Sequence, residues 1–272
     1  LNDAFRVELE SKTDILRTHL VLVPKKKKKK WLQLNLAKKN GVMMNVDFQF
    51  LETGLWRLLE ALDEKPGKAA FLDLKPRRIA LLRALENIDE KDGDFAPILE
   101  YLKGAGGAEE LPDREKRLWQ LAEKLAVLFG DYEFHREEMI RDWLDPEFKT
   151  DDEMRRCQRA LYLSAKKVRE NARDDGKRLL SLMEYADEVF SNLSKSAASK
   201  GAARPRFVHL FGFSGISAFH LDLIGSLNRF CNIVFYSINP CSEFWEDVKT
   251  PWEKKWIKRE NVKNFRIDKE EE

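Results

Sequence analysis

Short apolar runs of the kind that form buried strands stand near both ends of this chain, and between them the spacing is helical. Residues 19–23, His-Leu-Val-Leu-Val, are closed by Pro24, and residues 42–48 follow as a second strand-like segment. Toward the other end, 207–211 stops at Gly212 and 232–238 stops at Asn239-Pro240. Runs that are apolar at successive positions suit strands covered on both faces, the condition of a parallel sheet. Each pair of runs brackets a helix. One spans 26–39, with Trp31, Leu34 and Lys38 on one side and Gly41 as its stop; the other spans 217–230. Strand, crossover helix and strand read as parallel pairing through a right-handed connection.

Helical spacing dominates elsewhere. A helix over 53–62 carries Leu55, Trp56, Leu59 and Leu62 on one face and breaks at Pro66-Gly67. From 75 to 193 almost everything is helical, with Leu81, Leu82, Leu85 and Ile88, then Leu118, Leu121, Leu125 and Leu128, at three- and four-residue spacing. Gly104-Ala105-Gly106-Gly107 and Asp145-Pro146 read as loops, 194–204 as a linker, and 5–16 as an amphipathic helix. The expected architecture is α/β. One parallel sheet is assembled from 1–65 and 205–272, and a helical inserted subdomain over 66–204 interrupts it.

Several chemistries have no residues to carry them. The Walker loop needs G-x-x-x-x-G-K-[ST], because bare glycine amides cradle phosphates and the lysine reaches the outer ones. The string is missing. The glycine cluster at 104–107 runs into Glu109-Glu110, and Gly212-Phe213-Ser214-Gly215 lacks the lysine and reads as a tight strand-to-helix turn. Carboxylate groups such as Asp151-Asp152-Glu153 sit among arginines and lysines and read as solvated surface, not as a magnesium site. His135 and His220 have no cysteine or serine at an instructive spacing, and His220 reads as structural. Three cysteines without a C-x-x-C pair argue against a disulfide framework or zinc and fit a reducing, cytoplasmic setting. No apolar run approaches the ~20 residues of a membrane helix. Leu1 in place of a methionine, and the charged tail Lys269-Glu270-Glu271-Glu272, read as cut ends of a longer chain.

The net charge of +2 rules out a chain that is basic throughout, so any nucleic-acid contact must come from local clustering. The cluster is Lys25, Lys26, Lys27, Lys28, Lys29 and Lys30, set between a strand and a helix. It reads either as solvated surface or as a phosphate track. Ligands of open α/β sheets bind beyond the carboxyl ends of the strands, where this run falls. Lysines in a first helical turn also oppose the helix dipole unless an anion is near. Trp31, Phe48, Phe50 and Trp56 lie around it. On apolar helix faces Trp31 and Trp56 read as core before they read as base-stacking rings. Phe50 is less periodic and suits a wedge.

Val21-Leu22-Val23-Pro24 with Trp31-Leu32-Gln33 is followed in order by Asn45-Val46-Asp47-Phe48 and Leu55-Trp56-Arg57-Leu58-Leu59. Next come Lys116-Arg117-Leu118-Trp119-Gln120-Leu121-Ala122, with Leu128-Phe129 and Tyr132. Leu210-Phe211-Gly212-Phe213-Ser214, His220-Leu221 and Asn239-Pro240-Cys241-Ser242-Glu243-Phe244-Trp245-Glu246-Asp247-Val248 complete the series. Spread over nearly the whole chain, these strings resemble the exonuclease V gamma-chain family (RecC), near its N-terminus. The resemblance implies a sheet shaped like a superfamily 1 helicase domain that has lost its ATPase motifs, with the helical block lining a strand channel. It implies a non-catalytic DNA-binding and scaffolding part of a heterotrimeric helicase–nuclease. That part would be held against beta and alpha subunits that carry ATP and magnesium. It would guide or scan a single strand, for the Chi octamer in some members, during double-strand break repair and recombination. The family's strand contacts would fall on Lys26, Lys30, Phe50, Trp56, Leu128 and Arg136. The lysine run adds Lys25, Lys27 and Lys29. Where the family usually has mixed amides and hydroxyls before Trp31, this chain is all lysine. Lysine grips phosphates more readily than it discriminates bases, so the departure bears on Chi recognition and leaves strand binding in place. The rival readings are a protein-interaction scaffold without DNA contact and a helicase domain whose ATP motif lies outside this sequence.

Overall fold

The computed structural model describes residues 18–40, 45–103, 111–172, 176–195 and 206–237. The helix expected at 5–16, the glycine loop at 104–107, most of the 194–204 linker and the string at 239–248 lie outside the described residues.

Strands β1 (His19–Leu22), β2 (Val46–Gln49), β5 (Arg206–Phe211) and β6 (Cys231–Tyr236) form one sheet in the order β2-β1-β5-β6, every pair parallel. Helix α1 (Lys26–Asn40) connects β1 to β2, and α9 (Ala218–Leu227) connects β5 to β6. Val21 faces Phe48 across the β1–β2 pair, and Phe211 faces Tyr236 across β5–β6. The sheet is therefore assembled from both ends of the chain. Because side chains alternate along a strand, β1 feeds two cores. Val21 and Val23 join Phe48, Phe211, Tyr236 and the inward Leu32 and Leu36 of α1. Leu22 points the other way, into the large core with Val208, Leu210 and Leu223.

Helix α2 (Leu51–Leu62) follows β2 directly. It closes on β1 through Gly54, where any Cβ would collide with the Leu22 side chain. The helical block contains α3 (Leu74–Glu86), a 3-10 turn (Gly93–Phe95) and α4 (Ala96–Lys103). It continues through α5 (Leu111–His135), α6 (Glu137–Leu144), α7 (Glu153–Asn171) and α8 (Leu182–Lys195). Its core, with Leu81, Leu85, Phe129, Trp143 and Tyr185, is continuous with that of the sheet.

Two further strands depart from the sequence reading. β3 (Ala69–Phe71) and β4 (Arg178–Leu180) pair in parallel as a separate two-stranded sheet inside the stretch read as helical. At three residues each they are too short for any period to emerge.

The block is also built around buried ions. Arg77 of α3 donates both terminal nitrogens to Glu133 of α5 at 2.7 and 2.8 Å, and the Tyr162 hydroxyl donates to the same carboxylate at 3.1 Å. Arg169 of α7 donates twice to Glu184 of α8, both at 2.6 Å, and once to the Leu179 carbonyl of β4 at 3.0 Å. Burial, the largest single influence, lowers the Arg77 pKa, but the Glu133 charge and its hydrogen bonds together outweigh it and the net shift is upward. No described helix is long and apolar enough to cross a membrane.

Candidate nucleic-acid interface

The four parallel strands leave the sheet at one edge, and the lysine run sits there. β1 passes through Val23 and Pro24 to Lys25, whose carbonyl accepts from the amides of Lys28 at 3.0 Å and Lys29 at 3.2 Å as α1 begins. Two lysines turn inward. Lys29 donates to the Phe48 carbonyl at 3.4 Å, with its ammonium 5.9 Å from the Phe48 ring. The Lys28 stem lies on Gly212, at the end of β5. Gly212 has φ +73°, and a Cβ there would come 2.8 Å from Lys28 Cε. A left-handed backbone and a bare Cα at this turn are what admit the lysine stem. Lys25, Lys26, Lys27 and Lys30 point into solvent. Among the described residues no carboxylate pairs with any lysine of the run.

Beside the run a cleft of about 450 Å³ opens between the sheet edge and the helical block. Pro24 and Phe50 form its sheet side, Leu74 and Arg77 of α3 its floor, and Val127 and Asp131 of α5 its far wall. Phe50, Leu74 and Val127 are each close to half exposed. The cleft's charges are the carboxylates of Glu52, Asp73 and Asp131 against one cation, Arg77, which Glu133 already neutralises. An acidic, partly apolar cleft thus adjoins a basic rim.

The expected contact residues divide. Lys25, Lys26, Lys27 and Lys30 are accessible, and Phe50, 45% exposed, stands at the mouth of the cleft. Lys29 is committed to the Phe48 carbonyl through its own ammonium. Trp56 is a correction. It is only 6% exposed, stacks on Tyr185 at 4.2 Å and lies 5.4 Å from Phe71, so neither ring face is open to a base. Leu128 is half-buried and does not line the cleft, because its neighbours Val127 and Asp131 on α5 turn the cleft-facing side away from it. Arg136 is exposed between α5 and α6, with its guanidinium 5.1 Å from the Tyr132 ring. It is not among the residues lining the cleft.

Trp31 is the reverse correction. α1 carries two apolar stripes, and Leu32 and Leu36 are the buried one; Trp31 is 48% exposed. Also missed were the acidic residues of the cleft, whose only sequence signal is a helix-first-turn carboxylate at Glu52 and a capping Asp73. His220 does have a serine partner. Ser217 caps α9, and its Oγ lies 2.7 Å from His220 Nδ1. Burial, and then the nearby His135, push the His220 pKa down to about 4, which keeps it neutral and structural. No group of three metal-ligating side chains occurs among the described residues.

Comparison with known proteins gives one family. A model described as the RecC N-terminal domain matches residues 2–269. The RecBCD enzyme subunit RecC of Escherichia coli (strain K12) is 25% identical over 263 residues, covering 91% of this chain and 21% of its own length. The subunit of the same description from Haemophilus influenzae is 24% identical over 249 residues, covering 86% of this chain and 22% of its own length. The chain spans about a fifth of the length of these relatives.

Proposed function

Since this chain belongs to the RecC N-terminal domain family, we propose that it is a non-catalytic, strand-guiding part of a RecBCD-type helicase–nuclease. The observation that carries the reading is the set of four exposed lysines, Lys25, Lys26, Lys27 and Lys30, which pair with no carboxylate among the described residues and follow directly on Pro24 at an acidic cleft. A single strand has phosphates on one side and base edges on the other. The lysines attract the phosphates. Glu52, Asp73 and Asp131 repel them but accept hydrogen bonds from the exocyclic amines of unpaired bases. The charge pattern therefore orients a strand with its backbone outward and bases inward, past Phe50.

We read the strand–loop–helix at 22–26 as the counterpart of the loop that holds ATP phosphates in a motor domain. Here it has no glycine, and its cations stand outward from the loop. We read it as a motor-shaped sheet turned to nucleic-acid contact. ATP and magnesium would belong to partner beta and alpha subunits, in the cytoplasm, during double-strand break repair and recombination. Exposed Trp119, with Arg78 stacked on it at 4.4 Å, favours a protein-docking role for the outer helical block alongside strand contact.

The test is titration of fluorescein-labelled oligothymidylate across a salt series. Replacing Lys25, Lys26, Lys27 and Lys30 by Ala is expected to lower the single-strand salt slope by up to about 3, at ~0.7 for each phosphate no longer neutralised. Unchanged affinity and slope in that variant would remove the basis of the reading.

A further inference from the structure

We infer that Trp31 is a stacking platform for an unpaired base, with Lys27 and Lys30 holding the adjoining phosphates, on the outward face of α1. This rests on the strand-binding reading above and extends it to a specific aromatic contact and to single strands over duplex. α1 needs only Leu32 and Leu36 to pack on the sheet, and both are fully buried. Trp31 and Leu34 therefore form a second apolar stripe that faces solvent. The indole is not loose. Its ring centroid is 6.4 Å from that of Phe211, tilted by 33°, and the Lys28 ammonium lies 6.0 Å from it. Asn35 donates to the Trp31 carbonyl at 2.8 Å one turn on. A half-exposed ring held in one orientation costs little further ordering when a flat partner arrives.

The surroundings name the partner. Lys27 precedes Trp31 by one helical turn and Lys30 is its neighbour, while Lys38 lies two turns further along; all three are exposed. Positions four apart on a helix have Cβ atoms about 5–6 Å apart, so Lys27 and the ring form one continuous strip, and Lys30 flanks it from the adjoining position. Protein interfaces enrich tryptophan at their centres and deplete lysine. A tryptophan flanked by lysines, with no carboxylate pairing them among the described residues, matches a groove that tracks a polynucleotide backbone and stacks its bases. The ring face takes a base only when that base is unpaired, which selects single strands. Lys25 and Lys26 join this strip to Pro24 at the cleft, so one strand can touch both.

The experiment uses the whole chain with Trp31→Leu, Trp31→Phe and Lys27→Ala, titrated with labelled oligothymidylate and with a duplex of equal length. Urea unfolding checks that no variant is less stable than the parent. Trp31→Leu is expected to weaken oligothymidylate binding about five- to a hundredfold, the range for removal of one stack, with the salt slope unchanged. Trp31→Phe should lose less, and duplex binding should not move. Lys27→Ala should lower the salt slope by about 0.7. If Trp31→Leu binds like the parent while the lysine variant weakens, the platform is overturned and the strand-binding reading survives. If neither variant matters, both fall. Equal losses on single strand and duplex, or Trp31-dependent binding of polyglutamate as tight as that of oligothymidylate, would also overturn the platform.

Discussion

Charge is handled in opposite ways by the two halves of this molecule. In the helical block it lies inside and is paired, as Arg77 with Glu133 and Arg169 with Glu184. At the sheet edge it lies outside and, among the described residues, has no carboxylate partner, as at Lys25, Lys26, Lys27 and Lys30. Paired buried charge fixes how α3, α5, α7 and α8 sit against one another and leaves little for a ligand. Unpaired exposed charge contributes nothing to packing and leaves its whole field to solvent or to an anion. The contrast separates residues whose loss should unfold the chain from residues whose loss should only weaken binding.

The largest effect should come from the interior. Glu133 is 1% exposed, and Glu133→Ala would leave the Arg77 guanidinium buried without its counter-ion. A loss of about 3–5 kcal/mol is expected, read as a lower urea midpoint. Replacing Arg77 and Glu133 together by Met and Leu should cost much less, because the penalty belongs to the orphaned charge. A Glu133→Ala variant as stable as the parent would break the distinction between the two halves.

Acid should find a second interior dependence. Burial and then His135 hold the His220 pKa at about 4, below the ordinary 6.5. A depressed pKa means that the unfolded chain takes up the proton first. The stability this group contributes is therefore complete above about pH 6.5 and is lost as pH falls through about 4. That shift corresponds to roughly 3 kcal/mol. His220→Leu should flatten the fall in urea midpoint over this window relative to the parent.

What the sequence discloses follows the range of the interactions involved. The strands of the main sheet were legible because Val21, Leu22 and Val23, or Leu210 and Phe211, are consecutive apolar residues in short runs closed by Pro24 or Gly212, a pattern that suits a strand covered on both faces. The strand pair at Ala69–Phe71 and Arg178–Leu180 was not, because its partners are far apart in sequence and offer three residues each. Position relative to the fold was the harder matter. α1 has apolar stripes at Leu32 and Leu36 and at Trp31 and Leu34, and only the position of the sheet decides which is inward. Trp56, which its apolar helix face puts in the core and the family resemblance puts at a strand, stacks on Tyr185, a contact between α2 and α8. The basic rim could be read directly from six consecutive lysines. The acidic cleft could not, since Glu52, Asp73 and Asp131 meet only once α2, α3 and α5 are brought together around it.

Gly212 tests the junction between sheet and rim. With φ +73°, an alanine there is strained by about 1–2 kcal/mol, and its Cβ would displace the Lys28 stem. Gly212→Ala should lower the unfolding free energy read from urea titration by that amount. Displacing Lys28, whose ammonium lies 6.0 Å from the Trp31 ring, should also lower single-strand affinity. A stability loss with unchanged affinity would separate the β5 turn from the binding strip.

The smallest effect has the opposite sign. The first turn of α1 holds lysines and no acidic residue, so its charges oppose the helix dipole and one another. Replacing Lys26, Lys27 and Lys30 by Ala should stabilise the chain by a few tenths of a kcal/mol each at low ionic strength. The gain should fade as salt screens the repulsion. Single-strand affinity should fall in the same variant. Stability rising while binding falls is the behaviour of charges retained for a ligand, and it separates them from charges such as Glu133. If the variant instead loses stability, the lysines have folded-state partners that the rim geometry does not show. The opposition between the two halves would then not hold.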